Sequence, residues 1–204
     1  MLVGRRMTSP VVTISPAEQI ETARQLMRER NIRHLPVVDA GRLLGIVAES
    51  DLRMGAVASR MAPVVVEDVM TTNVITVAPQ TSIETAAMLM LDNKISGLPV
   101  VDGEGEVIGI LTAADIINVF LDVMGIDSGA KRIEVQLPDR PGALAAALRP
   151  IGELGVNIVS VVSARAEGAY RNFVLRVATD DLEPVLNALA DAGVDLLLTG
   201  ESGT

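Results

Sequence analysis

Two short stretches carry side chains suited to holding a small ligand. The first is Gly109-Ile110-Leu111-Thr112-Ala113-Ala114-Asp115, where a hydroxyl and a carboxylate stand three residues apart at the start of a helical pattern. Free amides at a helix N-terminus favour a phosphate, and a hydroxyl beside them can donate to it. A carboxylate three residues on can accept from ribose hydroxyls. The same Thr-x-x-Asp spacing also works as a purely local cap, with Thr112 bonding the first amides and Asp115 favoured in the first turn. The second stretch is Gly45-Ile46-Val47-Ala48-Glu49-Ser50-Asp51. It keeps the carboxylate, Asp51, but Ala48 stands where the hydroxyl of Thr112 would be, and Ser50 is left to cap. Arg33 and His34 lie upstream, before Leu35. Arg33 offers a charge-assisted fork to an anion, each bond worth about 1.5–3 kcal/mol. Against this stands the reading of both as surface residues, or of His34 as a satisfied, partly buried histidine.

The composition excludes several other chemistries. The 204 residues include no cysteine, one histidine and three aromatics, Phe120, Tyr170 and Phe173. Disulfides, thiolate nucleophiles and cysteine-ligated metals are therefore absent, and His34 alone makes no cluster for a transition metal. Three aromatics are few for stacking single-stranded bases. A net charge of −9 and a pI of about 4.6 have the wrong sign for general nucleic-acid binding. No G-x-S-x-G, H-E-x-x-H or P-loop occurs, since neither Lys94 nor Lys131 follows a glycine. Gly103, Gly105 and Gly109 do not fit G-x-G-x-x-G and belong to a hairpin. No catalytic residue is assigned, and a non-catalytic protein is expected. No apolar run approaches the ~18 residues of a membrane span, and no apolar stretch of a signal peptide follows Arg5-Arg6. The expectation is a cytoplasmic protein with neither membrane nor nucleic acid as partner.

Charge divides along the chain. Residues 1–60 carry +3, residues 61–129 carry −9 and residues 130–204 carry −3. Solvated helix faces of different sign account for this, as would a first segment that meets an anion or the second segment.

An internal repeat organises the first 125 residues. At an offset of 63, residues 7–39 match 70–102 at 17 of 33 positions, including Leu35-Pro36-Val37-Val38-Asp39 against Leu98-Pro99-Val100-Val101-Asp102. One residue is then inserted, and Gly45 and Asp51 pair with Gly109 and Asp115. Each copy opens with a β-branched run, 11–14 or 74–77, read as a strand. A helix follows, with Ile20, Ala23, Leu26 and Met27, or Ile83, Ala86, Leu89 and Met90, on one face. Ser15 with Glu18, and Thr81 with Glu84, have capping-box spacing. Two strands around a glycine turn come next, 35–38 with 43–47 and 98–101 with 107–111, and a helix closes each copy, the second at 116–124. One such unit cannot bury its apolar faces alone, whereas two packed together can.

Two β-α-β-β-α units, each with LPVVD and a glycine-led run ending in Asp, resemble a tandem pair of CBS domains, a Bateman module, at 1–62 and 63–126. The resemblance implies two clefts between the copies that bind an adenine-containing nucleotide such as AMP, ADP, ATP or S-adenosylmethionine. One cleft would combine Asp51, Arg33 and His34 with backbone near Ile95, Ser96 and Gly97. The other would combine Thr112 and Asp115 with backbone near Ile32, Arg33 and His34. The base would lie between aliphatic side chains such as Ile32, Ile95 and Val47 or Leu111. The first cleft lacks the hydroxyl and the second has fewer bases, so unequal sites are expected. Magnesium carried on the nucleotide is compatible with this; no acidic cluster calls for a dedicated metal site.

After a polar linker at 127–130, the pattern becomes βαββαβ, which implies a ferredoxin-like sandwich at 130–204. Ile133, Val135 and Leu137 alternate, and Pro138-Asp139-Arg140-Pro141-Gly142 turns into a helix with Leu144, Ala147, Leu148 and Ile151 on one face. Pro150 predicts a kink or early end. Strands are expected at 157–163, 170–178 and 194–199, and a helix at about 182–192. The overall class is thus α+β. Strand, D-R-P-G turn, helix and then G-V-N-I resemble an ACT domain, a module that typically binds amino acids at a dimer interface. Amides at Gly142, Ala143 and Leu144 would hold a carboxylate, and Asp139 or Asn157 would meet an ammonium or polar group. A structural turn, a buried Asn157 and an Asp139 that pairs with Arg140 or faces water is the competing account. Two CBS units followed by one ACT domain resemble the acetoin-utilisation family. The implied role is a regulatory sensor that forms at least a homodimer; a scaffold with vestigial sites is the other class.

Overall fold

A computed structural model describes residues 1–58 and 64–200. The expected boundary between the repeats, at 62/63, and residues 201–204 of the third domain lie outside the described residues. The chain divides into two compact units, Met1–Ile117 and Asn118–Thr204.

In the first unit both copies follow one plan. Copy one holds α1 (Ile20–Arg30), β1 (His34–Asp39), β2 (Arg42–Ala48) and α2 (Glu49–Ala58). Copy two holds α3 (Ile83–Asn93), β3 (Gly97–Val101), β4 (Val107–Thr112) and α4 (Ala113–Met124), the last of which contains the division between units. Even the irregularity repeats, with a register shift at Val37/Val38 in β1 and at Val100/Val101 in β3. The inserted residue lies in the β3–β4 turn, where the Asp102 carboxylate accepts from the amides of Glu104 and Glu106 at 2.9 Å each.

The opening runs do not form strands. Each contributes one parallel bridge, Ile14 to Val37 and Val77 to Val100. Ile14 donates to Pro36 and Val77 to Pro99. The next donor in a parallel ladder would be residue 16 or 79, and both are proline, so the ladder stops. The helix starts also differ from the expected caps. The N-cap of α1 is Gln19, and Ser15 only accepts a turn bond from the Glu18 amide. The N-cap of α3 is Ser82, whose hydroxyl accepts from the Thr85 amide at 3.0 Å, while Thr81 closes the preceding turn by accepting from Ala78.

Freed from their own sheets, the leading segments cross over. Val3 and Gly4 donate to Thr81 and Pro79, and Thr8 exchanges both backbone bonds with Ile110 of β4. Symmetrically, Val66 and Glu67 donate to Glu18 and Pro16, and Thr71 exchanges both bonds with Ile46 of β2. Val66 is fully buried in the copy-one core among Ile14, Ala23, Leu35, Val37 and Val47. Burying one valine contributes roughly 1.5–3 kcal/mol. Each copy thus completes its core with a piece of the other.

In the second unit β5 (Lys131–Pro138), α5 (Ala143–Glu153), β6 (Asn157–Glu167), β7 (Tyr170–Ala178), α6 (Glu183–Asp191) and β8 (Asp195–Gly200) form a four-stranded antiparallel sheet of order β6-β7-β5-β8. Ile133, Val135, Leu175 and Val177 pack one face of it against Ala147, Ile151, Val185 and Leu189 of the helices. The α5 helix runs through Pro150 to Glu153 rather than ending early. Proline removes a single donor, while the fully buried Ile151 beyond it anchors the last turn.

The crossover depends on two glycines. A Cβ on Gly109 would lie 2.5 Å from Met7 Sδ and 3.1 Å from the Thr8 carbonyl, and one on Gly45 would lie 2.6 Å from Met70 Sδ and 3.0 Å from the Thr71 carbonyl. Gly45→Ala and Gly109→Ala should each destabilise the chain by about 1–3 kcal/mol, as overpacking does. Urea unfolding midpoints unchanged from wild type would refute this close approach.

Candidate ligand sites

The offset that aligns the copies sets His34 against Gly97, and these two residues meet. A Cβ on Gly97 would come within 3.0 Å of His34 Cγ and Cδ2, and His34 Nε2 lies 3.1 Å from Ser96 Oγ. Contact between matched residues places them on the pseudo-twofold axis of the pair. Glycine on one side makes room for imidazole on the other. His34 is the Cα partner of Ala48, and Gly97 of Thr112. Arg33 O accepts from the Glu49 amide and Ser96 O from Ala113, so each loop is tied to the start of its copy's closing helix. The structure therefore brings Ala48, His34, Ser96, Gly97 and Thr112 into one neighbourhood. Burial pushes the His34 imidazole below its ordinary pKa, the Arg33 guanidinium adds to this, and Asp51 opposes it.

Thr112 and Asp115 clasp each other. Asp115 Oδ2 accepts from the Thr112 amide at 2.8 Å and from its hydroxyl at 2.7 Å, and the Asp115 amide donates to Thr112 Oγ1 at 3.3 Å. The local capping box is thus realised, and the Thr112 proton is held by Asp115. Oδ1 of Asp115 has no partner among the described residues, and remains able to accept. Copy one repeats the amide clasp, Ala48 N to Asp51 Oδ2 at 2.8 Å, without a hydroxyl. Ser50 reaches Asp51 Oδ1 only at 3.5 Å.

The aliphatic walls differ from expectation. Val47 and Leu111 are fully buried, Val47 in the copy-one core, because strand alternation turns them inward with Leu35 and Leu98. Ile32 and Ile95 are half-buried beyond the helix ends, each donating back into the last turn, to Met27 O and Met90 O. An unforeseen groove of about 430 Å³ lies between the copies, lined by residues including Ser9, Pro10, Thr13, Val38, Val107 and Ile108. Its size is within the range of small-ligand pockets. Ser9 Oγ donates to Ile108 O at 2.9 Å across it. It lies at the Val107 end of β4, about 17 Å along the strand from Thr112. Its walls come from the leading segment of one copy and β4 of the other, a pairing visible only once the crossover is known.

In the second unit Asp139 pairs with Arg171, not Arg140. Arg171 Nε and Nη2 grip Oδ1 and Oδ2 side-on at 3.0 and 3.3 Å, and this bond holds the Asp139 carboxyl below its ordinary pKa. Gly142 is the N-cap of α5, with φ of 84° and no side-chain cap, and Ala143 and Leu144 follow it half-buried. Asn157 is exposed rather than buried. It pairs with Ala178 at the Lys131 end of the sheet, whereas Asp139 follows Pro138 at the other end. At least about 26 Å of strand, from Tyr170 to Ala178 along β7, separates the two positions, so one chain does not bring them to the same ligand. Among the described residues no group of three or more metal-type ligands occurs, and no helix is long and apolar enough to cross a membrane.

Paired repeats with crossed leading segments, followed by a ferredoxin-like sandwich, define a two-module protein, and comparison with known proteins assigns both modules. The CBS domain family matches residues 3–56 and 66–122, and the ACT domain family matches residues 131–194. The chain belongs to the CBS-domain family and carries an ACT domain after its CBS pair. The CBS domain pair of protein MJ0100, in complex with 5′-methylthioadenosine and S-adenosyl-L-methionine, is 36% identical with a TM-score of 0.55, over 59% of this chain and 95% of that one. CBSX2 in complex with AMP is 33% identical with a TM-score of 0.53, over 59% and 96%. AcuB from Vibrio cholerae, described as an acetoin utilization protein, is 33% identical with a TM-score of 0.57, over 63% and 96%. Among curated relatives, inosine-5′-monophosphate dehydrogenase of Korarchaeum cryptofilum is 42% identical over 106 residues, which span 52% of this chain but 21% of the enzyme.

The half-buried His34 has a testable consequence. Its native pKa lies below the ordinary value of 6.5. As pH falls, the unfolded chain therefore takes the proton first. The stability gained from neutral His34 is present above about pH 6.5 and is lost as pH falls through the native pKa. The single histidine gives one Cε1–H resonance, and its NMR titration midpoint should fall below 6.5. A midpoint at or above that value would contradict the half-buried, Arg33-flanked setting.

Proposed function

We propose that this protein is a non-catalytic regulatory sensor that binds an adenine-containing nucleotide between its CBS copies. The observation that carries this reading is Asp115, held by the Thr112 cap with one carboxylate oxygen still free to accept from a ribose. In the Asp115 cleft Thr112 and the α4 amides take the phosphate side, with backbone near Ile32, Arg33 and His34 opposite; in the Asp51 cleft Arg33 and His34 take it, with backbone near Ile95, Ser96 and Gly97. The adenosine ligands of the MJ0100 pair and of CBSX2 support the ligand class. AMP, ADP, ATP and S-adenosylmethionine all fit it, with any magnesium carried on the phosphates. Asp51 serves a weaker first cleft, because Ala48 offers no hydroxyl. The protein works in the cytoplasm as a homodimer, and its ACT domain fixes the dimer or takes an amino acid. A link to acetoin utilisation rests on the likeness to AcuB.

Thermal unfolding with each nucleotide tests the reading. A ligand at 100 times its Kd adds about 2.7 kcal/mol of stability. Asp115→Ala should abolish that shift at the second cleft with little loss of intrinsic stability. Ala48→Thr should tighten binding at the first. A shift that survives Asp115→Ala unchanged would overturn the site assignment. No shift from any nucleotide at millimolar concentration would instead favour a dimerising scaffold.

A further inference from the structure

The sheet of the ACT domain buries an arginine whose Nε meets no acceptor. Arg176 of β7 is 5% exposed, and it is the one charged residue among those buried in the described structure. Leu175 and Val177 point to the helices, so Arg176 lies on the opposite face of the sheet, away from α5 and α6. Its stem passes beneath Gly125, and its Nη1 donates to Ala130 O at a long 3.4 Å. Nε is buried with no hydrogen-bond partner. This Nε–Nη2 edge is the one with which Arg171 grips Asp139. Arg132 is its direct cross-strand partner. Like charges placed so are destabilising, and Arg132 is itself bound to Glu134 at 2.7 Å. A buried guanidinium nitrogen left without an acceptor is costly.

We propose that Arg176, supported by Arg132, is a receptor for a small oxyanion, a carboxylate or phosphate group, on the sheet face that α5 and α6 leave open. A side-on guanidinium matches the two oxygens of either group. The turn Ile126–Ser128 covers the arginine and is flanked by Gly125 and Gly129, both at positive φ. Rotation about these glycines admits the anion. The site is separate from the turn at Asp139 and Gly142, which lies at the other end of the sheet.

The test uses the full chain in BisTris chloride, with sodium acetate or sodium phosphate replacing sodium chloride at equal ionic strength. Wild type should melt about 2–4 °C higher with the effective anion than Arg176→Met does under the same change. Taking this difference cancels the general stabilisation by excluded salts. Acetate acting alone points to a carboxylate ligand and phosphate acting alone to a phosphate, and either supports the receptor. Arg176→Lys keeps the charge but cannot present two parallel donors, and should bind at least tenfold more weakly by calorimetric titration. The Arg176 Nε resonance of wild type should also shift on titration, a readout that needs no variant. Equal anion responses in wild type and Arg176→Met, or an Nε resonance unmoved by both anions, would reduce Arg176 to a structural residue and overturn the proposal.

Discussion

The first unit depends on a reciprocal backbone clasp, Thr8 with Ile110 and Thr71 with Ile46. Each clasp lays the leading segment of one copy along the inner hairpin of the other and delivers an apolar residue, Val3 or Val66, to a fully buried position. Gly45 and Gly109 let the backbones come close enough for the clasp to form. Everything at the candidate nucleotide site follows from this arrangement. It sets His34 beside Ser96 and Gly97, and it makes a groove whose walls belong to different copies.

The repeat is not symmetric where symmetry would be tested most severely. A residue on a pseudo-twofold axis faces its own counterpart, so two histidines, or two residues of similar bulk, would collide there. His34 opposite Gly97 resolves the collision by dividing the space unequally. The same inequality runs outward along the strands, to Ala48 on the histidine side and Thr112 on the glycine side. The two sides of the pair therefore differ in chemistry near the axis as well as in their helix caps.

Much of this was legible in the sequence. The repeated LPVVD strands, the helix periodicity and the βαββαβ order are local patterns, and β1 to β4 and the later strands lie close to where alternation places them. The Thr112–Asp115 cap is also local, three residues apart, and was readable for that reason. What escaped depends on distant partners or on parity. The runs at 11–14 and 74–77 look like strands, but Pro16 and Pro79 cut their ladders after one bridge. Val47 and Leu111 are one residue out of phase with the open face of their strands. The partner of Asp139 is Arg171, 32 positions away, and no spacing rule connects them. Arg176 reads as an ordinary residue of an alternating strand until the segment over it is seen.

The crossed leaders also set an order of events during synthesis. Copy one cannot finish its core when its own last helix emerges, because Val66 and the Thr71 clasp have yet to be made. Its first residues, Val3 to Thr8, must wait longer still, until β4 has left the ribosome and Ile110 is available. A nascent chain stalled between the repeats therefore leaves apolar surface uncovered within copy one, at the core that Val66 completes and at Val3 itself. Long-range pairing of this kind is slow and leaves intermediates open to aggregation. The pair of repeats is thus a single unit of folding, although it is a double unit of sequence.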